Sequence, residues 1–381
     1  MKKKVGNQLY KRLEELFSEA LCEKVFPGAA TAVDIVEKNH NSSNLYFFGK
    51  KGYTTDAEDG VNDKTIYDLA SLTKPLATTL ALMVLMDSGS LRLTDSLSSF
   101  YNGFKKKVFS DISIFHILSH SSGFPAYRPY FINYKAISNP ESGEKLLYSI
   151  LGTPLIYPPG SRSLYSDLGF ILLGKIIEKA SGERLDLLFE KEISGPLGLE
   201  KDLFFRPLPV SESDGEDISK YAPTEYCRWR GKLIRGQVHD EHCYLFGGIS
   251  GHAGLFGTIK GVSCLCKAIL RQWRGEKIFS NISVELMETF LRPVHPHSGW
   301  CLGFDTPSFP GSSAGQFISP GSVGHLGFTG TSFWLDKVRG LSIVLLTNRV
   351  HPSRYNKKIR EFRPRFHDLV IQGVDEIRKA G

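Results

Sequence analysis

The two ends of this chain read as strands and its middle reads as helices, which restricts the possible folds more than any other feature. Near the N-terminus, residues 29–36 (AATAVDIV) are small and β-branched, and 45–48 follow after the turn-rich His40-Asn41-Ser42-Ser43-Asn44. Near the C-terminus, 327–335 and 341–347 are strand-like runs joined by Asp336-Lys337-Val338-Arg339-Gly340, the pattern of a hairpin. Each end also carries a helical pattern. Leu9, Leu13 and Phe17 share one stripe of a helix reaching about Cys22, and a basic, partly apolar helix covers about 354–379. In the middle, 76–86 is apolar almost all round and stops at Ser88-Gly89, so it predicts a buried helix. Residues 112–119 predict a short helix stopped by Gly123 and Pro125. Asp167 is placed to cap another over 168–179, with Ser181-Gly182 as its stop. The expected class is α/β (α+β): an antiparallel sheet built from both chain ends and flanked by helices. The sheet domain would comprise 1-75 and 250-381, with a mainly helical domain inserted at 76-249 and the active site between them.

Bulk properties remove several functions. The net charge of +7 is spread along 381 residues, and the dense basic runs are Lys2-Lys3-Lys4, Lys105-Lys106-Lys107 and the tail around 354–365. No continuous basic face with interleaved aromatics is visible, so no nucleic-acid partner is expected. The longest apolar stretch, 80–86, is far too short to span a bilayer, and the N-terminal lysines precede an amphipathic helix rather than an apolar leader. A soluble cytoplasmic protein with no membrane association, monomeric or weakly oligomeric, is therefore expected. The six cysteines show no C-x-x-C pair and are expected as free thiols, without a zinc site or any other cofactor. Residues 205–220, with Pro207, Pro209 and an acidic run, predict a surface loop.

Three stretches carry chemistry. In Ser71-Leu72-Thr73-Lys74, a hydroxyl and an amine stand three residues apart at the start of an apolar helix, on one face and within reach of each other. Burial there would move Lys74 toward neutrality, a change of about 3 pKa units or ~4 kcal/mol. In 157–167 (YPPGSRSLYSD), a Pro-Pro-Gly turn delivers Tyr165 just ahead of a helix, where its phenol can relay a proton. In 324–332 (GHLGFTGTS), glycines open the entry to a strand, so that a substrate backbone can approach; Gly327 leaves room, and the N–H of Phe328 can join that of Ser71 in holding an oxyanion. Two histidine patterns are distractors. His116 and His120 have zincin spacing, but Ile117 stands where the glutamate base is required. His239, Asp240 and His252 could form a metal cluster only if the fold joined them, and hydrogen-bonding roles are the preferred reading.

In this order and spacing, the three stretches resemble the serine β-lactamase and penicillin-binding superfamily. The resemblance is to the branch with class C β-lactamases, D-amino-acid peptidases and related esterases, whose motifs are S-x-x-K, Y-x-N and K-x-G or H-x-G. It extends to Tyr67-Asp68-Leu69-Ala70, 116–123 (HILSHSSG) and Leu345-Leu346-Thr347-Asn348. It implies Ser71 as nucleophile, Lys74 as its proton partner and Tyr165 as general base of acylation. His325 would stand in place of a lysine on the substrate-facing strand, and Ser71 and Phe328 would supply the oxyanion N–H groups. Asp167 departs from the asparagine of the strictest members, which puts a penicillin-hydrolysing pocket in doubt. Stretches at 224–241 and 247–256 (GGISGHAGLF) are similar to a subgroup containing cytoplasmic N-acetylmuramoyl-L-alanine amidases of cell-wall recycling. That similarity implies a muropeptide substrate, with Arg228, Arg230 and Arg235 available to steer carboxylates; His252, closely flanked by glycines, is expected to line the pocket. An esterase, D-amino-acid peptidase or β-lactamase, or a non-catalytic penicillin-binding sensor, are the alternatives.

Overall fold

The structure, a computed structural model, describes residues 2–37, 40–53, 59–101, 107–209, 217–294 and 299–379. Lys105, Lys106 and the acidic part of the expected 205–220 loop lie outside them. The described strands are β1 (Gly28–Glu37), β2 (His40–Gly49), β3 (Tyr67–Asp68), β4 (Leu203–Phe205), β5 (Tyr226–Cys227), β6 (Lys232–Leu233), β7 (Leu255–Gly257), β8 (Val323–Leu326), β9 (Ser332–Asp336) and β10 (Leu341–Thr347). The main sheet is antiparallel in the order β2-β1-β10-β9-β8, with Ala29 opposite both Phe48 and Thr347, so the two chain ends do pair.

Both faces of this sheet are covered, and the period of two sorts its residues between them. Ala29, Val33, Leu341, Ile343 and Leu345 face the helices Lys2–Cys22 and Ile359–Lys379, where Phe17 stacks on Phe48 at 4.0 Å and meets Phe362 and Phe366 edge-on. Ala30, Ala32, Val344 and Leu346 face the other way, into a continuous apolar cluster that runs through Leu80 and Phe170 to Ile269. There the amphipathic helix Ile259–Trp273 lies on the sheet, and its Ser263 hydroxyl donates to the buried Asp34 of β1 at 2.7 Å. Burial pushes the Asp34 carboxyl upward, while Ser43, Lys267 and Ser263 act in the opposite sense.

Several element boundaries differ from the sequence expectation for local reasons. β2 begins at His40 rather than after a turn at 40–44, because those polar residues pair with the outer half of β1 (Val33 with Asn44, Ile35 with Ser42). The strand expected at 327–335 starts only at Ser332, because 327–331 close a turn in which the Gly327 N–H donates to the Thr331 carbonyl at 2.7 Å. The short helix spans Ile114–Leu118 under a reciprocal Ser113–His116 cap, and His120 lies beyond it with φ 55°. Ser166, not Asp167, caps the helix Asp167–Ser181 by accepting from the Gly169 N–H, which leaves the Asp167 carboxylate free to turn elsewhere. Gly182 closes that helix at φ 73°, as expected.

Two glycines bring the helix Asp167–Ser181 against the loop carrying His252. A Cβ on Gly251 would lie 2.1 Å from the Phe170 carbonyl oxygen, and one on Gly174 would lie 2.6 Å from the Gly251 nitrogen. Backbone meets backbone here, so neither contact can relax by rotating a side chain. Thr78 then donates to the Gly251 carbonyl at 2.7 Å, tying the serine-bearing helix to the same loop. Gly251→Ala is expected to destabilise the fold by about 2 kcal/mol or more, as overpacked sites do. Urea unfolding checks this, and an unchanged midpoint would refute the close approach.

Candidate active site

Ser71 sits on a short turn that the chain reaches through a strained residue. Ala70 has φ 48°, a region where a non-glycine residue needs outside support. The support is dense: the Asp68 carboxylate accepts from the Ala70 N–H at 2.8 Å and the His239 N–H at 2.6 Å, and the Thr73 hydroxyl donates to the Ala70 carbonyl at 2.6 Å. Lys74 opens a wider π-helical turn, Lys74–Thr79, in which Pro75 needs no N–H donor, and a regular helix, Leu80–Asp87, continues from it.

The Lys74 side chain is fully buried, and its Nζ has three acceptors: Ser71 Oγ at 2.9 Å, Asp167 Oδ1 at 2.7 Å and the His252 carbonyl at 3.1 Å. Three acceptors match the three N–H bonds of an ammonium. Burial lowers the Lys74 pKa, and the Asp167 carboxylate resists that fall. Tyr165 OH donates to the same Ser71 Oγ at 2.9 Å. Hydroxyl, amine and phenol therefore converge on one oxygen, although 94 residues separate Ser71 from Tyr165.

Tyr165 owes its position to His120. The His120 carbonyl accepts from the Leu164 N–H at 2.8 Å and the Tyr157 hydroxyl at 3.2 Å, and its Nδ1 accepts from the Ser166 N–H at 3.1 Å. The His120 and Trp300 rings lie 4.8 and 5.7 Å from the Tyr165 ring. Burial, with Lys74 and His325 nearby, holds the His120 pKa well below its usual value, so this support is a neutral ring. Burial and then the Asp167 charge push the Tyr165 phenol well above its ordinary value. The phenol in this geometry is a proton donor rather than a standing base.

The strand β8 brings its turn against the serine segment. Thr329 and Thr331 donate to the carbonyls of Asp68 and Leu69 at 2.8 and 3.0 Å, and Arg363 donates to the carbonyls of Gly327 and Thr331 at 2.9 and 2.7 Å. A Cβ on Gly327 would lie 1.9 Å from Thr331 Oγ1 and 2.8 Å from the Leu69 carbonyl oxygen, so only glycine permits this approach. The Phe328 carbonyl accepts from Arg349 Nε at 2.9 Å, which orients the following turn. His325 is buried; its Nδ1 must donate to the Leu326 carbonyl at 2.9 Å, and its Nε2 has no partner among the described residues. Burial and the nearby Lys74 charge lower its pKa to about 3, so the ring is neutral and Nε2 carries a bare lone pair.

His252 is buried beside this centre rather than lining open space. Its Nε2 lies 2.8 Å from Asp240 Oδ1, its Nδ1 lies 2.9 Å from Ser250 Oγ, and its carbonyl holds Lys74. The fold thus joins His252 to Asp240, with His242 rather than His239 as the third member of the group. His239 turns instead to Glu225 at 3.1 Å. The arginines expected to steer a substrate divide: Arg230 donates to the carbonyls of Val238 and His239, and Arg235 to those of Tyr221 and Ser219, so both brace loops, while Arg228 is exposed. His120 and Asp240, read from the sequence only as parts of histidine patterns without a catalytic role, are neighbours of the site. Their signal was present in 116–123 and 238–241, but only the fold shows what they touch.

Comparison with known proteins identifies the family and the fold. The profile of the family described as Beta-lactamase matches residues 13–364. A protein of Escherichia coli (strain K12) named "Putative D-alanyl-D-alanine carboxypeptidase" is 34% identical over 309 residues, covering 75% of this chain and 70% of that one. A Salmonella typhi protein of the same name is 34% identical over 319 residues, covering 77% and 72%. Among solved structures, a class C beta-lactamase superposes with a TM-score of 0.71 at 18% identity, covering 95% of this chain and 96% of that one. The octameric penicillin-binding protein homologue of Pyrococcus abyssi gives 0.68 at 24% identity, covering 93% and 76%. At these identities the two structures attest the fold.

Asp167 sets the charge state of Lys74, and its neutral amide counterpart tests that. Asp167→Asn removes the group that raises the Lys74 pKa and leaves the burial that lowers it, so the amine stays neutral to lower pH. The acid limb of the acylation rate, followed with a p-nitrophenyl ester or a fluorophosphonate, is expected to move down by on the order of one pH unit. A limb that stays in place or moves up would contradict this assignment.

Proposed function

We propose, from the premise that this chain belongs to the Beta-lactamase family and is a serine hydrolase, that Ser71 is acylated by an amide of a cell-wall muropeptide. Ser71 Oγ attacks the carbonyl carbon while its proton passes to Lys74 Nζ, 2.9 Å away, in the unprotonated form that burial favours. The backbone N–H groups of Ser71 and Phe328 receive the oxyanion. Tyr165 gives its phenolic proton to the leaving nitrogen and regains one from Lys74, so the C–N bond breaks with charge balanced. Water then attacks the ester by the same relay in reverse. This assigns the base role to Lys74 and revises the expectation for Tyr165, because a phenol shifted upward keeps its proton.

The observation that favours an internal amide over a C-terminal residue is the neutral His325. A free carboxylate at the substrate end asks for a cation, and the group at this point of β8 offers only an acceptor lone pair. Nearby arginines are already engaged: Arg354 with Glu225 and Glu241, and Arg349 with the carbonyls of Phe328, Arg354 and Asn356. An N-acetylmuramoyl-L-alanine amide presents no carboxylate at the scissile bond. The similarity of 224–241 and 247–256 to the recycling amidases supports the same substrate and a cytoplasmic location. No described helix is long and apolar enough to cross a membrane. The name carried by the Escherichia coli and Salmonella relatives favours a second reading, release of D-alanine from a peptide end.

The two readings separate on defined substrates. The enzyme is expected to release the peptide from MurNAc-L-Ala-peptide and to leave a D-Ala-D-Ala terminus intact, with a transient adduct on Ser71 in intact-protein mass spectra. Release of D-alanine with no cleavage beside the lactyl group would replace the amidase reading by the carboxypeptidase one. Ser71→Ala is expected to abolish both the adduct and labelling by a fluorophosphonate. Tyr165→Phe is expected to slow acylation by about 10²-fold or more, and an unaltered rate would remove the phenol from the relay.

A further inference from the structure

Next to the acylation centre lies a group of side chains that the proposed relay does not use. Asp240, His242 and His252 each present one donor atom, and the three atoms lie within 4.8 Å of one another. His242 is fully buried, yet neither of its ring nitrogens has a hydrogen-bond partner among the described residues. A neutral imidazole always carries one N–H and one lone pair, and burying both unpaired costs what two missing hydrogen bonds cost. The rings of Tyr127, Tyr130 and Phe131 stand 5.2, 6.4 and 5.9 Å from it, an aromatic wall behind a ligand atom near Asp240 and His252.

His252 is arranged as a ligand would be. Its Nδ1 faces Ser250 Oγ at 2.9 Å and its Nε2 lies at hydrogen-bond distance, 2.8 Å, from Asp240 Oδ1; with the ring proton on Nδ1, donated to Ser250, Nε2 is free to offer its lone pair to a cation. A metal ion would take the place of the single proton that otherwise bridges this nitrogen and the carboxylate. An outer partner on the far ring nitrogen is the usual device for fixing a metal-binding histidine. Asp240 is itself held in place by accepting from the Cys243 N–H at 2.8 Å as the cap of the helix Glu241–Leu245.

We infer that Asp240, His242 and His252 bind a single divalent transition-metal ion of the zinc type. Two imidazoles and one carboxylate are nitrogen and oxygen donors suited to such an ion, and three protein ligands leave positions for water. Donor atoms around zinc stand about 3–3.5 Å apart for bonds of about 2.1 Å, so the side chains need move by only on the order of 1 Å. The other group with ligand-like spacing, Glu225, Cys227 and Glu241, already has an occupant. Arg354 donates to both of its carboxylates, and His239 also meets Glu225. Among the described residues, no arginine or lysine is hydrogen-bonded to His242. The ion would fasten the loop whose carbonyls at Gly251 and His252 hold Thr78 and Lys74.

The test uses the full chain, purified without a metal-affinity tag, stripped with a chelator and titrated with cobalt(II) and then zinc(II). One cobalt per chain with visible ligand-field bands, displaced by zinc, and a higher melting temperature with zinc are expected. Asp240→Asn keeps the helix cap, and His242→Phe suits the aromatic wall; each is expected to weaken binding by more than about 100-fold, beyond the usual loss of an outer partner. Far-ultraviolet circular dichroism identifies any variant that fails to fold, and the other variant then decides. Absence of cobalt bands in the native chain would overturn the site. Binding that survives both variants, or that is lost in Cys227→Ser instead, would overturn it equally.

Discussion

Lys74 places an amine inside a low-dielectric wall, and much of the central architecture serves to hold it there. An unpaired ammonium at that depth would be expelled or neutralised, since a shift of three pKa units corresponds to ~4 kcal/mol. Here three acceptors reach Nζ from three distant parts of the chain: Ser71, Asp167 and the His252 carbonyl. Each belongs to a different packed unit, so the position of one nitrogen depends on all of them meeting. The Gly174–Gly251 approach lets the loop carrying His252 come near enough, and Ser166 takes over the helix cap that would otherwise occupy Asp167.

The same logic extends to the strand side of the cleft. The threonines of the 327–331 turn reach the carbonyls of Asp68 and Leu69, just before the nucleophile, and Arg363 grips that turn from behind. Arg363 comes from the closing helix and Asp68 from a segment nearly three hundred residues earlier, so both ends of the chain fix the turn beside Ser71. The main sheet is a frame covered on both faces, and its last strand delivers His325 and Gly327 to the cleft.

Much of this was legible from residue patterns alone, and the misses share a cause. The terminal strands, the buried helix after Lys74 and the hairpin at 336–340 follow from local periodicity. The serine, lysine and tyrosine stood out because spacing or flanking turns mark them. The helix Ile259–Trp273 passed unremarked although one face is strongly apolar, because cysteines and a glycine blur its stripe. The Asp167 cap was misplaced by one residue because Ser166 and Asp167 are both good caps, and only the pull of Lys74 chooses between them. Roles set by long-range contact were not readable: Arg230 and Arg235 look like substrate clamps in sequence, yet their donors go to nearby carbonyls.

The charge layout around Ser71 sets a buried amine between carboxylates, with a neutral imidazole on β8. A carboxylate at position 167 stabilises the lysine as an ammonium and raises the phenol, both of which oppose a ready nucleophile. Burial of Lys74 works against the first effect, so the amine is poised by two opposed forces of comparable kind. Asp240 adds a second negative charge within electrostatic reach of both groups. A neutral His325 instead of a cation then removes the usual reason for an anion to enter. Lys74 is fully buried, so a substrate without negative charge leaves the balance between its burial and the Asp167 charge undisturbed. Under the amidase proposal, this layout suits an uncharged amide whose acidic groups are carried farther along the substrate.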